Sequence, residues 1–357
     1  MIVLYAVGAA AAAYQVFAVI ACLSFRRSRS TLKPGLPASI LKPVSGADSA
    51  LRAAIESHSK LEGEYELLCG VRSPDDPAVA VLREFPKARV VECGTAAANG
   101  KVGTLIDLAR ASRFPIVVVN DADIRVEPDY LARVTVPLED TRVGLVTCLY
   151  RPEGSTFAAR FEGLGVSTEF APSTLVARMV GVDEFAMGST LAFRRADLEL
   201  IGGFEAIRDY LADDYQLGAR LHGLGLKCVL SEVIVGTHLG GSWGDVWRHQ
   251  VRWARTIRVS KFSGYLGLPV TFATVWAVAA AAAGLWGLAG AILAVRMIMA
   301  MEAGWFVVGS RDVLKLWWMI PARDLFGAAV WVAGLFGNTV IWRGRRLTLD
   351  GEGRIVA

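Results

Sequence analysis

The sequence predicts an α/β domain held to a membrane by apolar helices at both ends. Three observations carry that expectation: an uncharged N-terminal stretch, apolar stretches in the last quarter, and short strand-like runs alternating with helical segments between them. Composition agrees. Of 357 residues, 54% are hydrophobic and the mean hydropathy is +0.41, more apolar than a soluble chain of this length. The formal net charge of +4 is mild, which argues against nucleic acid as a partner. Five cysteines without a CxxC pair give neither a disulfide framework nor a structural zinc site, and they fit a reducing compartment.

Taken in order, residues 1–25 (MIVLYAVGAAAAAYQVFAVIACLSF) contain no charge. A helix rising about 1.5 Å per residue would cross the ~30 Å hydrocarbon core over that length. A signal peptide would carry its positive charge ahead of the apolar run. Here Arg26, Arg27, Arg29 and Lys33 follow it, so a retained anchor is expected, with the chain beyond it in the cytoplasm.

Residues 26–261 have the size of one globular domain. The runs ASILK, YELLCGV, ARVVEC, FPIVVVN, VGLVTCLY, STLAFRR and LKCVLSEVIV read as strands. Segments such as PAVAVLREF read as the helices between them, so the sheet is partly parallel.

Residues 262–342 are the expected C-terminal membrane region. The chain is uncharged from Phe262 to Val295, apolar again around Glu302 to Ser310, and again from Leu325 to Trp342. Arg343, Arg345 and Arg346 place the basic tail 343–357 on the cytoplasmic side. Two cytoplasmic ends need an even number of C-terminal spans, whereas three apolar segments are present. The region thus holds two or three helices; one interfacial segment would reconcile the count, and RDVLKLWWMIPARD has the Lys, Arg and Trp content of such a helix.

Ligands of an open α/β sheet sit at the carboxyl ends of its strands. Asp75 and Asp76 follow the strand-like YELLCGV, Asp121 and Asp123 follow FPIVVVN, and Asp213 and Asp214 open the helical DDYQLGARL. Two aspartates one residue apart repel each other unless something positive stands between them. Asp121 and Asp123 can share Mg²⁺ or Mn²⁺, with substrate phosphates as further ligands; the alternative is a turn whose aspartates cap the next element. Asp214 reads either as a helix-start residue or as a general base that takes a proton from an attacking hydroxyl. SWGDVWRHQVRWARTIRVSKF crowds His249, Arg252, Trp253 and Arg255 together. It reads as an amphipathic interfacial helix or as an anion clamp for a diphosphate, with Trp packing on a sugar or lipid.

In that order, an acidic site, DxD, DD and a variant of (Q/R)xxRW, the motifs resemble the membrane-bound GT-A glycosyltransferases, and the ceramide glucosyltransferases most closely. LKPVSGAD, DDPAV, NGKVGTL, NDADIRV, MGSTLAFRRADLELIGGF, YLADDY, VRW and WRGRR carry the resemblance from anchor to tail. It implies a GT-A-type domain plus transmembrane helices. It also implies inverting, metal-dependent transfer of a hexose, glucose, from a UDP-sugar to a ceramide-type lipid hydroxyl. The setting implied is the cytoplasmic face of a multi-pass protein in a bacterial inner membrane.

Position by position, the resemblance makes Asp214 the catalytic base and gives Asp121 and Asp123 to the metal and diphosphate. Asp75 or Asp76 would contact the nucleotide. Lys42, Asn99, Lys101, His249, Arg252 and Trp253 would complete the nucleotide-sugar set. His249 stands where the pattern has Gln or Arg, which gives the clamp a cation dependent on pH. Bacterial enzymes that glycosylate hopanoid lipids are equally similar, and GLVTCLYR and HQVRWARTIR lean towards them; they imply a hopanoid acceptor and N-acetylglucosamine or another hexose. A processive polysaccharide synthase would need more spans. A catalytically silent nucleotide-binding scaffold is opposed by the presence of both Asp214 and the DxD.

Overall fold

The computed structural model describes residues 2–27, 33–342 and 344–356. Arg29 and Arg343, cited for charge at the span ends, lie outside the described residues.

Each of the seven expected runs forms one strand: β1 Ala38–Pro43, β2 Tyr65–Val71, β3 Ala88–Glu92, β4 Ile116–Val119, β5 Val143–Gly154, β6 Leu191–Arg194 and β7 Lys227–Leu239. They make a single sheet in the order β3-β2-β1-β4-β6-β5-β7. Every pairing is parallel except those of β6, which runs antiparallel to β4 and β5. The sheet is therefore mixed α/β, as expected. β4 reads as an unbroken IVVV because both of its faces are covered. Ile116 and Val118 join one core with Ile40, Leu67 and Tyr130, while Val117 and Val119 join the other with Leu41, Leu105 and Phe193.

Two helices, Ile2–Arg27 and Trp286–Val307, are long and apolar enough to cross a membrane. Phe262–Thr271 and Ala273–Ala282 form a third candidate span bent by 51°. Small residues let these helices approach closely. A Cβ on Gly8 would lie 3.2 Å from Ile292 and 3.3 Å from Leu288, and Ala11, Ala18 and Ala21 of the first helix are buried. Arg296 is buried too, and its guanidinium holds Asp324 through contacts of 2.6 and 2.9 Å. Its charge is thus compensated inside the bundle.

The apolar stretch Leu325 to Trp342 is not one helix. The helix Ile320–Gly334 ends early, Gly337 turns the chain at a φ of 72°, and Thr339–Trp342 (β8) pairs with Arg345–Thr348 (β9). A run of Thr, Val, Ile and Trp after a Gly-Asn turn favours a hairpin over another helical turn. Val340, Leu347 and Leu349 pack against Leu211. Ile355 donates its N–H to the Asp209 carbonyl at 2.7 Å. The described part of the expected tail thus folds onto the segment that leads into Asp213. RDVLKLWWMIPARD breaks into a short helix Arg311–Lys315, a 3₁₀ turn Trp317–Met319 and the start of the helix Ile320–Gly334, with Trp317 and Trp318 exposed.

Candidate active site

β4 delivers the DxD. Asn120, fully buried at the strand end, donates its side-chain amide to the Ser189 carbonyl at 2.7 Å and to the Tyr130 hydroxyl at 2.9 Å. That lock fixes where Asp121 leaves the sheet. Asp123 is fastened to β7, its Oδ2 accepting from Thr237 Oγ1 at 2.6 Å and from the His238 N–H at 2.9 Å. The charge that relieves the DxD is a lysine. Lys101 Nζ sits 2.9 Å from Asp121 Oδ1 and 2.9 Å from Asp213 Oδ2. Burial alone would depress this ammonium; Asp121, Asp213 and Asp214 outweigh burial and hold it above its ordinary range.

Several residues of the expected nucleotide-sugar set stand behind the cleft. Lys42 is fully buried, and its Nζ donates to the Asp121 carbonyl at 2.8 Å, bracing the DxD loop from beneath. Burial pushes its ammonium down to about 8 against the opposing pull of Cys69, Asp123 and Asp121. Asn99 caps the helix Gly100–Ala111, accepting from the Lys101 N–H at 3.0 Å and donating to the Tyr210 carbonyl at 2.8 Å. It is buried and aims Lys101 without lining the cleft. Asp75 is exposed on the turn after β2. Asp76 accepts from the N–H groups of Gly46 and Ala78 at 3.0 and 2.9 Å, so it shapes the backbone at Gly46, which does line the cleft. Lys101, Asp121, His249, Arg252 and Trp253 all line it, as do Asp123 and Asp214.

Asp214 stands in the first turn of the helix Asp213–Gly223. Its Oδ2 accepts from the Gly188 N–H and its Oδ1 from the Tyr215 N–H, both at 2.8 Å. Burial, then the neighbouring Asp213, pushes this carboxyl up to about 6; Lys101 and the two N–H groups pull the other way. Gly188 marks the point of convergence. A Cβ there would lie 3.3 Å from Asp121 Oδ2, 3.4 Å from Asp214 Oδ2 and 3.5 Å from Lys101 Nζ. A base must be ionised to accept a proton, so if Asp214 fills that role kcat/KM should fall as pH drops through about 6 and level off above it. A pH profile of kcat/KM checks this, and a flat profile down to pH ~5 would remove Asp214 from the role.

The helix Trp243–Ser260 opens with a capping box, Ser242 and Asp245 exchanging bonds, and supplies the opposite wall. Arg252 has no ion pair among the described residues. Burial lowers its pKa, while Asp121, Glu162 and Asp214 act to raise it. The Trp253 ring lies 4.7 Å from that of His249 and 6.0 Å from that of Phe170. Arg255, grouped with them in sequence, turns away and donates to the Thr339 carbonyl. The cleft measures about 700 Å³, and its lining also includes the apolar Val182, Phe185, Leu211, Ile257 and Trp342 and the Lys261–Glu184 ion pair.

Residues 1–355 match the family described as Glycosyl transferase family 21. The chain belongs to this family. Among curated relatives, Ceramide glucosyltransferase 1 of Caenorhabditis elegans is 30% identical to this chain over 209 residues, 56% of this chain and 45% of that protein. Ceramide glucosyltransferase 3 of the same organism is 29% identical over 208 residues, with the same coverage. The chain thus spans about half the length of these relatives. Its fold is similar to that of the mannosyltransferase PcManGT from Pyrobaculum calidifontis, solved with GDP-Man and Mn²⁺, at a TM-score of 0.55 and 18% identity, covering 92% of this chain and 99% of that one. The fold is of the GT-A type.

A divalent cation suits the donors that this family 21 chain offers. Asp121 keeps Oδ2 turned towards the convergence point at Gly188, and Asp123 keeps one oxygen beyond the Thr237 and His238 bonds. Both are hard oxygen donors, as Mg²⁺ or Mn²⁺ requires. No group of three or more His, Cys, Asp or Glu among the described residues could hold a metal ion, so phosphates and water would complete the shell. Sequence reasoning passed over four contributors: Asp213 as the partner of Lys101, Gly188, Thr237 and Glu162. For Glu162 a signal existed, because it is the one acid in the helical run FAARFEGLG, whose only other charged residue is Arg160.

Proposed function

We propose that this protein is an inverting glycosyltransferase that moves a hexose, glucose by preference, from a UDP-sugar to the hydroxyl of a ceramide-type membrane lipid. The observation that carries the reading is the cleft itself. Asp121, Lys101 and Asp214 converge at Gly188, Arg252 lines the same cleft without an ion pair among the described residues, and apolar side chains such as Val182, Phe185 and Leu211 line it too. Arg252, together with a cation on Asp121 and Asp123, would suit a diphosphate, and the apolar part of the lining suits the head-proximal part of a lipid.

In this reading Asp214 takes the acceptor proton as that oxygen bonds to the anomeric carbon. The bond from that carbon to the diphosphate oxygen breaks on the opposite side, and UDP leaves. No covalent enzyme intermediate forms. Arg252 and His249 bind the diphosphate, and Trp253 closes the wall beside it. A cation held by Asp121 and Asp123 would offset the negative charge growing on the leaving group. Counting the bent pair as one span gives two C-terminal spans, the even number that two cytoplasmic ends require.

Labelled UDP-sugars supplied one at a time to membranes carrying the protein, followed by mass spectrometry of extracted lipid, test the function. A lipid heavier by one hexose is expected; label released only as free sugar would defeat the proposal. The metal has its own test. Chelation should stop turnover, Mn²⁺ or Mg²⁺ should restore it, and Asp123→Ala should weaken metal and UDP binding together. Turnover that survives exhaustive chelation would strike the cation from the scheme.

A further inference from the structure

Glu162 is almost completely buried, at 2% exposure, in the helix Phe157–Gly165. A carboxylate so placed is costly unless it is paired. Its Oε1 accepts from His249 Nδ1 at 2.7 Å and from Gln250 Nε2 at 2.8 Å. Gln250, itself buried, accepts from Arg323 Nη2 at 2.9 Å through its own side-chain oxygen. Arg323 fits because residue 165 is glycine: a Cβ there would fall 2.1 Å from the same Nη2. Glu162 and Gly165 lie three residues apart, on one face of their helix. One helix face therefore offers both the carboxylate and the room for the guanidinium that braces its partner.

Two consecutive residues of the helix Trp243–Ser260 are gripped at one oxygen. Consecutive helical positions point about 100° apart, so the double grip fixes the rotation of that helix about its axis. The same helix presents Arg252 and Trp253 to the cleft one turn later. The grip also sets the histidine. With Nδ1 donating to the carboxylate, Nε2 is the nitrogen left for the cleft, and it has no partner among the described residues.

We infer that Glu162 is a positioning residue for the donor diphosphate, holding His249 with Nε2 towards the cleft and fixing the helix that carries Arg252. Glu162 does not line the cleft, so it acts on the donor only through these partners. The inference rests on the reading of the cleft as a nucleotide-sugar site. A purely structural buried pair would lower stability and leave the remaining donor contacts independent of it.

Donor binding to the full-length protein in detergent, titrated with UDP-glucose, separates these cases in a four-member cycle: wild type, Glu162→Gln, His249→Ala and the double variant. Glu162→Gln keeps the size and one acceptor oxygen while removing the charge. Each single change should weaken donor binding roughly 10–100-fold, the scale of a hydrogen bond to a charged group. The double variant should lose less than the two single losses combined, because the share routed through His249 is already gone, and the lipid KM should stay unchanged throughout. Additive losses, or donor affinity untouched by Glu162→Gln, would overturn the inference. If Glu162→Gln does not fold, Glu162→Asp keeps the charge but withdraws it by one methylene. It should weaken donor binding more in the wild-type background than in His249→Ala, where only the Gln250 grip remains to be lost; equal weakening in both would likewise overturn the inference. Wild-type protein that fails to bind UDP-glucose would overturn the cleft reading and this inference with it, an outcome distinct from additivity.

Discussion

Asp214→Asn should lower kcat by ~10²–10⁴ while donor affinity stays within a few fold, because a general base acts in the chemical step. The geometry makes the substitution clean. Both carboxylate oxygens of Asp214 accept backbone N–H groups, so asparagine retains one acceptor and turns an NH₂ towards the N–H of Gly188 or Tyr215. That is a local mismatch, partly relieved by removing one negative charge from beside Asp213. Neither change removes a contact of Arg252, which keeps Asp121 and Glu162 among the carboxylates acting on it. Single-turnover rates with bound donor, alongside an equilibrium titration, read the two quantities separately. Near-normal turnover would shift the base to Asp213, the neighbouring carboxylate paired with Lys101.

Lys101→Met should produce the largest loss of stability. The lysine side chain is 11% exposed and that of Asp213 is 9% exposed, so removing the cation leaves a buried carboxylate uncompensated. Breaking such a pair costs about 3–5 kcal/mol. The lower part of that range is expected, since the Asp121 side chain is 42% exposed and solvent screens its share. Asp121 and Asp214 would also lose the charge between them, so donor binding should fail together with folding. Thermal midpoints in one detergent check the prediction, and Lys101→Arg, which keeps the charge, should recover part of the loss. An unchanged midpoint would show that the ammonium is dispensable.

Much of the fold was legible because strand runs covered on both faces are apolar without a break. FPIVVVN could hardly be anything but a buried strand, and all seven runs became strands. The C-terminal region was harder to read. Hydropathy does not distinguish a helix from a hairpin, so the apolar Leu325 to Trp342 hid the break at Gly334 and the turn at Gly337. In the site, motif order pointed to Asp121, Asp214 and Arg252, which line one cleft, but not to which side of the backbone each neighbour would take. Lys42, Asn99 and Asp76 carry polar groups suited to a nucleotide, yet each spends them on backbone N–H or carbonyl groups beneath the cleft. The pairing of Lys101 with Asp213 joins positions far apart in sequence, and no local spacing announces it. Glu162 and His249 pose the same difficulty across 87 residues.

The central claim is single displacement at the anomeric carbon with Asp214 as base. The anomeric configuration of the sugar on the isolated lipid, read from its proton coupling by NMR after reaction with UDP-glucose, tests it most directly. UDP-glucose carries an α-linked sugar, so direct attack from the opposite face predicts a β-linked glycolipid. An α-linked product would require either two displacements or attack from the side of the leaving group, and would contradict the assignment of Asp214.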